Sequence, residues 1–227
     1  MNYNGFMRPV WGWLQENPEV EGGFFGLPTD VPQFTGREMV SAMQMFNGGV
    51  PWRALVASML LLNSHDTARF RNVVGGNVSR HFAGMGLLLT YPGVPSIFAG
   101  DELGLKGAWG EDSRRTINWE DQSTWDHNFH DLVQKLISIR KSSHALAYGG
   151  LRWLSIEDDY VAYLRESDEE SVVVVVARAK TKIEIDLAAI GYEIDGVLFG
   201  PALTGTAISG ETSAAEVMII KLRESSK

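Results

Sequence analysis

The chain has 227 residues and a formal net charge of −8, a length that fits one large domain or two modest ones and suffices to bury a core. The acidic balance argues against nucleic acid or an anionic membrane surface as the main partner. No apolar run approaches the roughly 20 residues that cross a bilayer. The sequence contains no cysteine, which excludes disulfides and thiolate chemistry and leaves the compartment open, with the cytoplasm preferred.

Helical segments alternate with short apolar runs up to about residue 146. Thr35, followed three residues later by Glu38, forms a capping-box pattern that predicts a helix over residues 36–47. Polar caps precede two further predicted helices, one from Asn77 to about Tyr91 and one from Asp126 to about Ser142.

Two short apolar runs, residues 58–63 and 94–99, end at polar residues. Such runs are typical of strands that are buried on both faces, although a buried helix end also fits the first run. The order of strand, helix, strand, long loop and helix predicts parallel strands joined by helical crossovers.

Beyond residue 147 the helix signals give way to alternating β-branched residues. Short strands separated by turns at this spacing are typical of a small antiparallel sandwich. The predicted strands cover residues 160–165, 172–176, 183–187, 196–200 and 216–221. The sequence therefore predicts an α/β chain with two domains, residues 1–146 and 147–227.

Residues that can carry chemistry directly follow the first apolar run, since residues 63–69 read Asn-Ser-His-Asp-Thr-Ala-Arg. In a (β/α)₈ barrel, active-site residues lie at the carboxyl ends of the strands. For an isolated His-Asp pair, the simpler hypothesis is structural: Asp66 or the neighbouring serine caps a helix, and Arg69 pairs with it at the surface. The second run favours a functional site because it also ends in carboxylates, Asp101 and Glu102.

These segments resemble the α-amylase superfamily. Residues 63–70, Asn-Ser-His-Asp-Thr-Ala-Arg-Phe, are similar to the segment after the seventh barrel strand, in the form found in the neopullulanase and cyclomaltodextrinase branch. Residues 93–104, Gly-Val-Pro-Ser-Ile-Phe-Ala-Gly-Asp-Glu-Leu-Gly, resemble the eighth strand and its loop, and Arg-Arg-Thr-Ile-Asn-Trp at 114–119 resembles the rest of that loop. The resemblance implies the last strands and helices of a (β/α)₈ TIM barrel in residues 1–146, followed by the family's small β-sandwich domain.

The resemblance also implies roles for individual residues. Asp66 occupies the position of the family's third carboxylate, which holds substrate hydroxyls and stabilises the cation-like transition state. His65 is implied to donate hydrogen bonds to the sugar beside it, and Arg69 to orient the loop or to bind substrate. An aromatic ring matches the apolar face of a pyranose, so Trp109 is a candidate for stacking on a sugar, whereas core packing is preferred for Trp119.

The remaining polar residues of the long loop are interpreted structurally. Asp101 and Glu102 are expected to accept hydrogen bonds from nearby backbone amides. Arg114 and Arg115 are expected to pair with loop acids such as Asp112.

The family reaction is a double displacement with retention, in which one carboxylate is the nucleophile and a second is acid and then base. The family's nucleophile lies in a Gly-x-Arg-x-Asp segment and its acid/base glutamate follows another strand; neither motif occurs in this sequence. We therefore expect an inactive C-terminal fragment of a glycosidase that acts on α-glucans or oligosaccharides. Strand edges left open in such a fragment predict self-association.

A self-standing, non-catalytic module that binds carbohydrate or assembles with a partner is the alternative function. No cofactor is predicted, and the five histidines show no zinc spacing. Many members of the family hold a structural calcium, mostly through residues that are not found in this chain.

Overall fold

The structure, a computed structural model, describes residues 1–21 and 32–225. A π-helical turn, Tyr3–Met7, precedes the first α-helix. The α-helices are α1 Arg8–Leu14, α2 Gly36–Asn47, α3 Trp52–Val56, α4 Phe70–Val73, α5 Val78–Thr90, α6 His127–Ser142 and α7 His144–Tyr148. The strands are β1 Met59–Leu61, β2 Val94–Ser96, β3 Gly150–Ile156, β4 Tyr160–Glu166, β5 Ser171–Ala177, β6 Lys182–Asp186, β7 Tyr192–Phe199, β8 Ala207–Glu211 and β9 Glu216–Glu224.

The predicted helix starts are confirmed by their caps. The Thr35 hydroxyl accepts a hydrogen bond from the Glu38 amide at 3.2 Å, and the Glu38 carboxylate accepts one from the Thr35 amide at 2.7 Å. The side chains of Asn77 and Asp126 accept backbone amides in the first turns of α5 and α6. These caps satisfy amide groups that have no partner within the helix.

The two predicted barrel-type runs form a parallel pair. Strand β1 pairs with β2 from Met59 opposite Val94 to Leu61 opposite Ser96. The pairing confirms two parallel strands and rules out a helix end for the first run. Because parallel strands point the same way, the segments after Leu61 and after Ser96 begin at the same edge of the sheet.

A five-stranded antiparallel sheet has the order β3-β4-β5-β9-β7, and its central strands β4, β5 and β9 are largely buried on both faces. Alternate residues of β5 point to opposite sides, as the period of a strand requires. Val172, Val174 and Val176 belong to the core shared with the helices. Val173 and Val175 belong to a second core, which includes residues of the two-stranded sheet β6–β8. The hydrophobic core therefore runs continuously from the helices into the sheet.

Three β elements differ from the predicted ones. Strand β7 begins earlier than the predicted 196–200, and no strand was predicted at the positions of β3 and β8. Only Ile208 is buried in β8, and its Ser and Gly residues carry no alternating apolar signal. No helix within residues 1–21 and 32–225 combines the length and the apolar character that crossing a bilayer requires.

Candidate functional site

A tight turn after β1 presents His65 and Asp66 to solvent. The Thr67 hydroxyl accepts the Ser64 amide at 3.0 Å, and the Thr67 amide donates to the Ser64 carbonyl at 3.2 Å. The Ser64 hydroxyl accepts from the Asp66 amide and from the Tyr3 hydroxyl, both at 3.2 Å. Ser64 and Thr67 are buried, whereas the side chains of His65 and Asp66 are 61% and 40% exposed. Hydrogen bonds to its buried Ser64 and Thr67 therefore fix the turn, which exposes the two candidate side chains His65 and Asp66.

His65, Asp66 and Arg114 form what we call the strand-end cluster. His65 Nε2 lies 3.3 Å from Asp66 Oδ1, and an Arg114 terminal nitrogen lies 3.5 Å from the same oxygen. Arg114 Nε also donates to the His65 carbonyl at 2.9 Å. A Cβ on Gly110 would come within 3.1 Å of the Asp66 backbone carbonyl, so the long loop packs directly on this turn.

Arg114 is a candidate site residue that the sequence did not reveal. It pairs with the loop acid Glu111 at 3.2 Å, as expected of a loop arginine, but it also reaches Asp66. The two residues are far apart in sequence, and no motif spacing connects them. Arg115 pairs with Asp112, which confirms the predicted partner.

Arg69 lies beneath the cluster and not within it. Its side chain is 1% exposed and donates to Asp101 Oδ1 at 2.8 Å and to the Ser113 and Ala99 carbonyls at 3.0 Å each. The guanidinium also packs 4.3 Å from the ring centre of Phe98. The surface pairing of Arg69 with Asp66 was wrong. Of the two roles that the resemblance implied for Arg69, this position fits loop orientation, because its burial and these bonds keep it from a ligand at the surface.

Asp101 is the buried partner of Arg69. One of its oxygens accepts from the Arg69 guanidinium and from the Asn63 amide at 3.1 Å. Burial raises the pKa of the Asp101 carboxyl to about 6, although the Arg69 charge and the Asn63 hydrogen bond both act to lower it. Both carboxylates were predicted to accept hydrogen bonds from backbone amides. This prediction is confirmed for Glu102, which accepts the Gly100 amide at 2.9 Å, and is wrong for Asp101, which accepts from side chains.

The long loop exposes two tryptophans. Trp109 is 44% exposed and lies on the loop that packs against the Asp66 turn. Trp119 is 66% exposed, so the predicted core packing was wrong. Its ring instead stands edge-to-face against Trp125, with the ring centres 5.4 Å apart.

The described residues, 1–21 and 32–225, contain no group of three or more His, Asp or Glu side chains placed to hold a metal ion. The strand-end cluster offers one carboxylate, one imidazole and one guanidinium, which can hydrogen-bond a ligand and stabilise charge.

Comparison with known proteins gives matches along nearly the whole chain. The cyclomaltodextrinase of Geobacillus thermopakistaniensis (strain MAS1) is 26% identical over 224 residues, which are 92% of this chain and 37% of that protein. The amylopullulanase of Thermoanaerobacter thermohydrosulfuricus is 30% identical over 230 residues, covering 90% of this chain and 15% of that protein. No family model matches the sequence.

Solved structures agree in fold. The crystal structure of the debranching enzyme from Nostoc punctiforme superposes with a TM-score of 0.81 and 25% identity, covering 97% of this chain and 47% of that one. The chain thus spans less than half the length of each of these three proteins. The chain belongs to the α-amylase family of glycoside hydrolases and corresponds to part of the length of its cyclomaltodextrinase, amylopullulanase and neopullulanase relatives.

Proposed function

We propose that this chain is the C-terminal part of a retaining glycosidase for α-glucosidic bonds, and that the strand-end cluster contacts the sugar. The observation that carries the proposal is the exposed Asp66 carboxylate, held at a parallel-strand end with His65 at 3.3 Å and Arg114 at 3.5 Å. The names of the relatives give the substrate class, since they include cyclomaltodextrinase and amylopullulanase.

The cluster fits the stabilisation of a cation-like sugar. A glycosyl transition state carries positive charge near the ring, and a fixed carboxylate such as Asp66 lowers its energy. The free lone pairs of Asp66 accept sugar hydroxyls, while His65 and Arg114 donate to neighbouring hydroxyl oxygens. Trp109 supplies an apolar ring face on the same loop. Arg69 acts from below by tying the turn after β1 to the segments around Ala99 and Ser113.

The fold proposal follows the same logic. Strands β1 and β2 are proposed to be the last two strands of a (β/α)₈ barrel whose residues here are 1–146. Residues 147–227 are proposed to form the small sandwich domain, in which β6–β8 covers one face of the five-stranded sheet. The parallel register of β1 with β2 and the second core under β6–β8 support these assignments.

The chain alone is proposed to be inactive. Retaining hydrolysis needs a nucleophile and an acid/base carboxylate about 5–5.5 Å apart. Near the cluster, Asp101 is buried against Arg69, and Glu111 and Asp112 pair with Arg114 and Arg115. We infer that the two bond-breaking carboxylates are not among these 227 residues.

Self-association is proposed at the free edge of β2. Within residues 1–21 and 32–225, β2 pairs with no strand except β1. The opposite edge of β1 is covered in part, because the Met59 carbonyl accepts a hydrogen bond from the Asn2 amide at 2.8 Å. An open groove beside β2 holds about 690 Å³ and is lined by apolar residues that include Pro95, Ile97 and Ile137. A second copy of the chain is the occupant that we propose for this groove.

Calorimetric titration of the whole chain with maltoheptaose tests the proposed function. The chain is expected to bind without releasing reducing ends. Asp66→Asn is expected to weaken binding about tenfold or more, because a hydrogen bond to a charged group contributes about 1.5–3 kcal/mol. Glu184→Gln, an exposed carboxylate on β6, is the matched control and is expected to bind as the parent does.

Three outcomes would contradict the proposal. Hydrolysis of maltoheptaose by the purified chain would show that the bond-breaking carboxylates are present. Unchanged affinity in Asp66→Asn would remove the strand-end cluster from the site and favour a binding module with its site elsewhere. Complete absence of binding would favour an assembly role.

A further inference from the structure

Trp119 is the most exposed tryptophan of the described residues, and its ring packs against a second tryptophan. Its ring meets Trp125 at an interplanar angle of 85° with the centres 5.4 Å apart. Trp125 is half-buried and lies 6.1 Å from the ring of His127 in the first turn of α6. The exposed indole therefore rests on an aromatic base that is connected to a helix, an edge-to-face arrangement that aromatic pairs prefer.

Local hydrogen bonds fix the backbone around this ring. The Asn118 side-chain oxygen accepts the amides of Glu120 at 3.2 Å and Asp121 at 3.1 Å. The Asp121 carboxylate in turn accepts the Ser123 amide at 3.0 Å. Turns of this kind hold the ring in place before any ligand arrives, which reduces the entropy lost on binding.

Polar groups beside the ring are free to bind hydroxyls. Among the described residues, no hydrogen bond uses the Asn118 side-chain NH₂ group or the Glu120 carboxylate, and both residues are exposed. A rigid, exposed ring face with an amide donor and a carboxylate acceptor next to it matches a pyranose, which has an apolar face and a rim of hydroxyls.

We propose that Trp119, supported by Trp125, is a second contact for an α-glucan chain, outside the strand-end cluster. The ligand class rests on the proposed function; the contact itself rests on the exposed ring and its fixed surroundings. Trp119 follows Arg114 by five residues, so their Cα atoms are at most about 18 Å apart. Within that separation, the Trp119 contact would bind a sugar remote from the reacting bond.

The test follows the indole N–H signals of the whole ¹⁵N-labelled chain by NMR during a maltoheptaose titration. The seven tryptophans are assigned by single substitutions. The signals of Trp119 and Trp125 are expected to shift together, while that of Trp52, which is 45% exposed and pairs with no ring among the described residues, is expected to stay in place. Trp119→Ala is expected to abolish the Trp125 shift and to weaken maltoheptaose binding at least threefold, and Trp52→Ala is the matched control.

The outcomes separate this contact from the proposed function. A Trp125 shift that survives in Asp66→Asn but disappears in Trp119→Ala supports an independent contact, even where the strand-end cluster fails its own test. Unchanged binding in Trp119→Ala overturns the inference and leaves the cluster untouched. No shift of Trp119 or Trp125 in the parent chain also overturns it. Folding of each variant is checked by circular dichroism, and Trp119→Phe, which keeps a ring, is expected to restore most of the affinity.

Discussion

The helical region, residues 1–148, and the sheet region, residues 150–225, satisfy their backbone hydrogen bonds in different ways. In the sheet region, β5 pairs with β4 and with β9 along its whole length. In the helical region, β1 and β2 pair over three residues each, and β2 keeps one edge open among the described residues. The three central strands of the sheet region are paired on both sides, whereas the helical region has one short parallel pair with an open edge among the described residues.

The candidate chemistry follows the same division. Every member of the strand-end cluster belongs to the helical region, as do Trp109 and Trp119. The sheet region contributes its buried face, on which α5 packs through Val217 and its neighbours. Among the described residues, the sheet region therefore packs against the helices and contributes no side chain to the strand-end cluster.

The largest effect on stability is expected from replacing Arg165, whose side chain links the sheet region to the helical region. This residue of β4 is buried and donates to the carbonyls of Thr90, Gly149 and Gly150. Arg165→Met leaves those carbonyls without a donor and is expected to lower the free energy of unfolding by about 3–5 kcal/mol. Urea unfolding followed by circular dichroism and tryptophan fluorescence measures the change.

The matched control is Arg152→Met, since Arg152 is exposed and its one ion pair within the described part of the chain is with Glu166. Such a surface pair contributes about 0–1 kcal/mol. Equal effects of the two substitutions would show that the buried guanidinium does not connect the regions.

The pH dependence of the unfolding free energy tests whether the ionised Asp101 carboxylate destabilises the folded chain. Its folded pKa of about 6 lies above the ordinary 3.8, so the folded chain holds this proton more tightly than the unfolded chain does. The contribution of Asp101 to stability is therefore fully present below about pH 4 and is lost as pH rises through about 6. We expect the unfolding free energy of the parent minus that of Asp101→Asn to fall by about 2 kcal/mol between pH 4 and pH 7.

Urea unfolding of both proteins in matched buffers gives this difference, and the subtraction removes titrations that the two share. A difference that grows with pH would mean that the Arg69 charge outweighs burial. The Asp101 carboxylate would then stabilise the folded chain at neutral pH.

A smaller effect is expected where α5 meets the sheet. A Cβ on Gly86 would lie 2.6 Å from a methyl group of Val217. Overpacking costs about 1–3 kcal/mol, while alanine gains about 1 kcal/mol over glycine in a helix. Gly86→Ala is therefore expected to destabilise the chain by about 1 kcal/mol in urea unfolding. Gly196→Ala in β7, where a Cβ meets no atom within 4 Å, is the control, and an equal or greater loss there would argue against this contact.

The smallest effect is expected at the open edge of β2, where self-association is proposed. Sedimentation velocity is expected to show concentration-dependent association of the parent chain at micromolar concentration. Val94→Lys places a charge on the exposed start of β2 and is expected to shift the chain toward monomer. Val78→Lys, at an exposed position of α5, is expected to associate as the parent does; a clean parent monomer would refute self-association.

Local signals explain which elements could be predicted from the sequence. The caps at Thr35, Asn77 and Asp126 depend on residues within one turn, so the starts of α2, α5 and α6 were correct. The two short apolar runs predicted both parallel strands, because a run of this kind is also a local signal in the sequence. Strand β8 was not predicted because its pairing with β6 depends on tertiary structure, and its mostly exposed residues show no alternation of apolar and polar side chains.

The site was predicted in part. The segment around His65 and Asp66 was found from its order in the chain and its position after a strand. The burial of Arg69 against Asp101 and the approach of Arg114 to Asp66 depend on how distant loops fold over one another. Trp119 was assigned to the core because buried tryptophans are common, whereas its exposure depends on the same loop.

The most direct test of the central claim is a crystal structure of the chain with bound maltoheptaose. The account predicts sugar hydroxyls within hydrogen-bond distance of the Asp66 carboxylate and of His65, with the turn after β1 unchanged. A sugar bound only elsewhere, with the strand-end cluster left in contact with solvent, would contradict it.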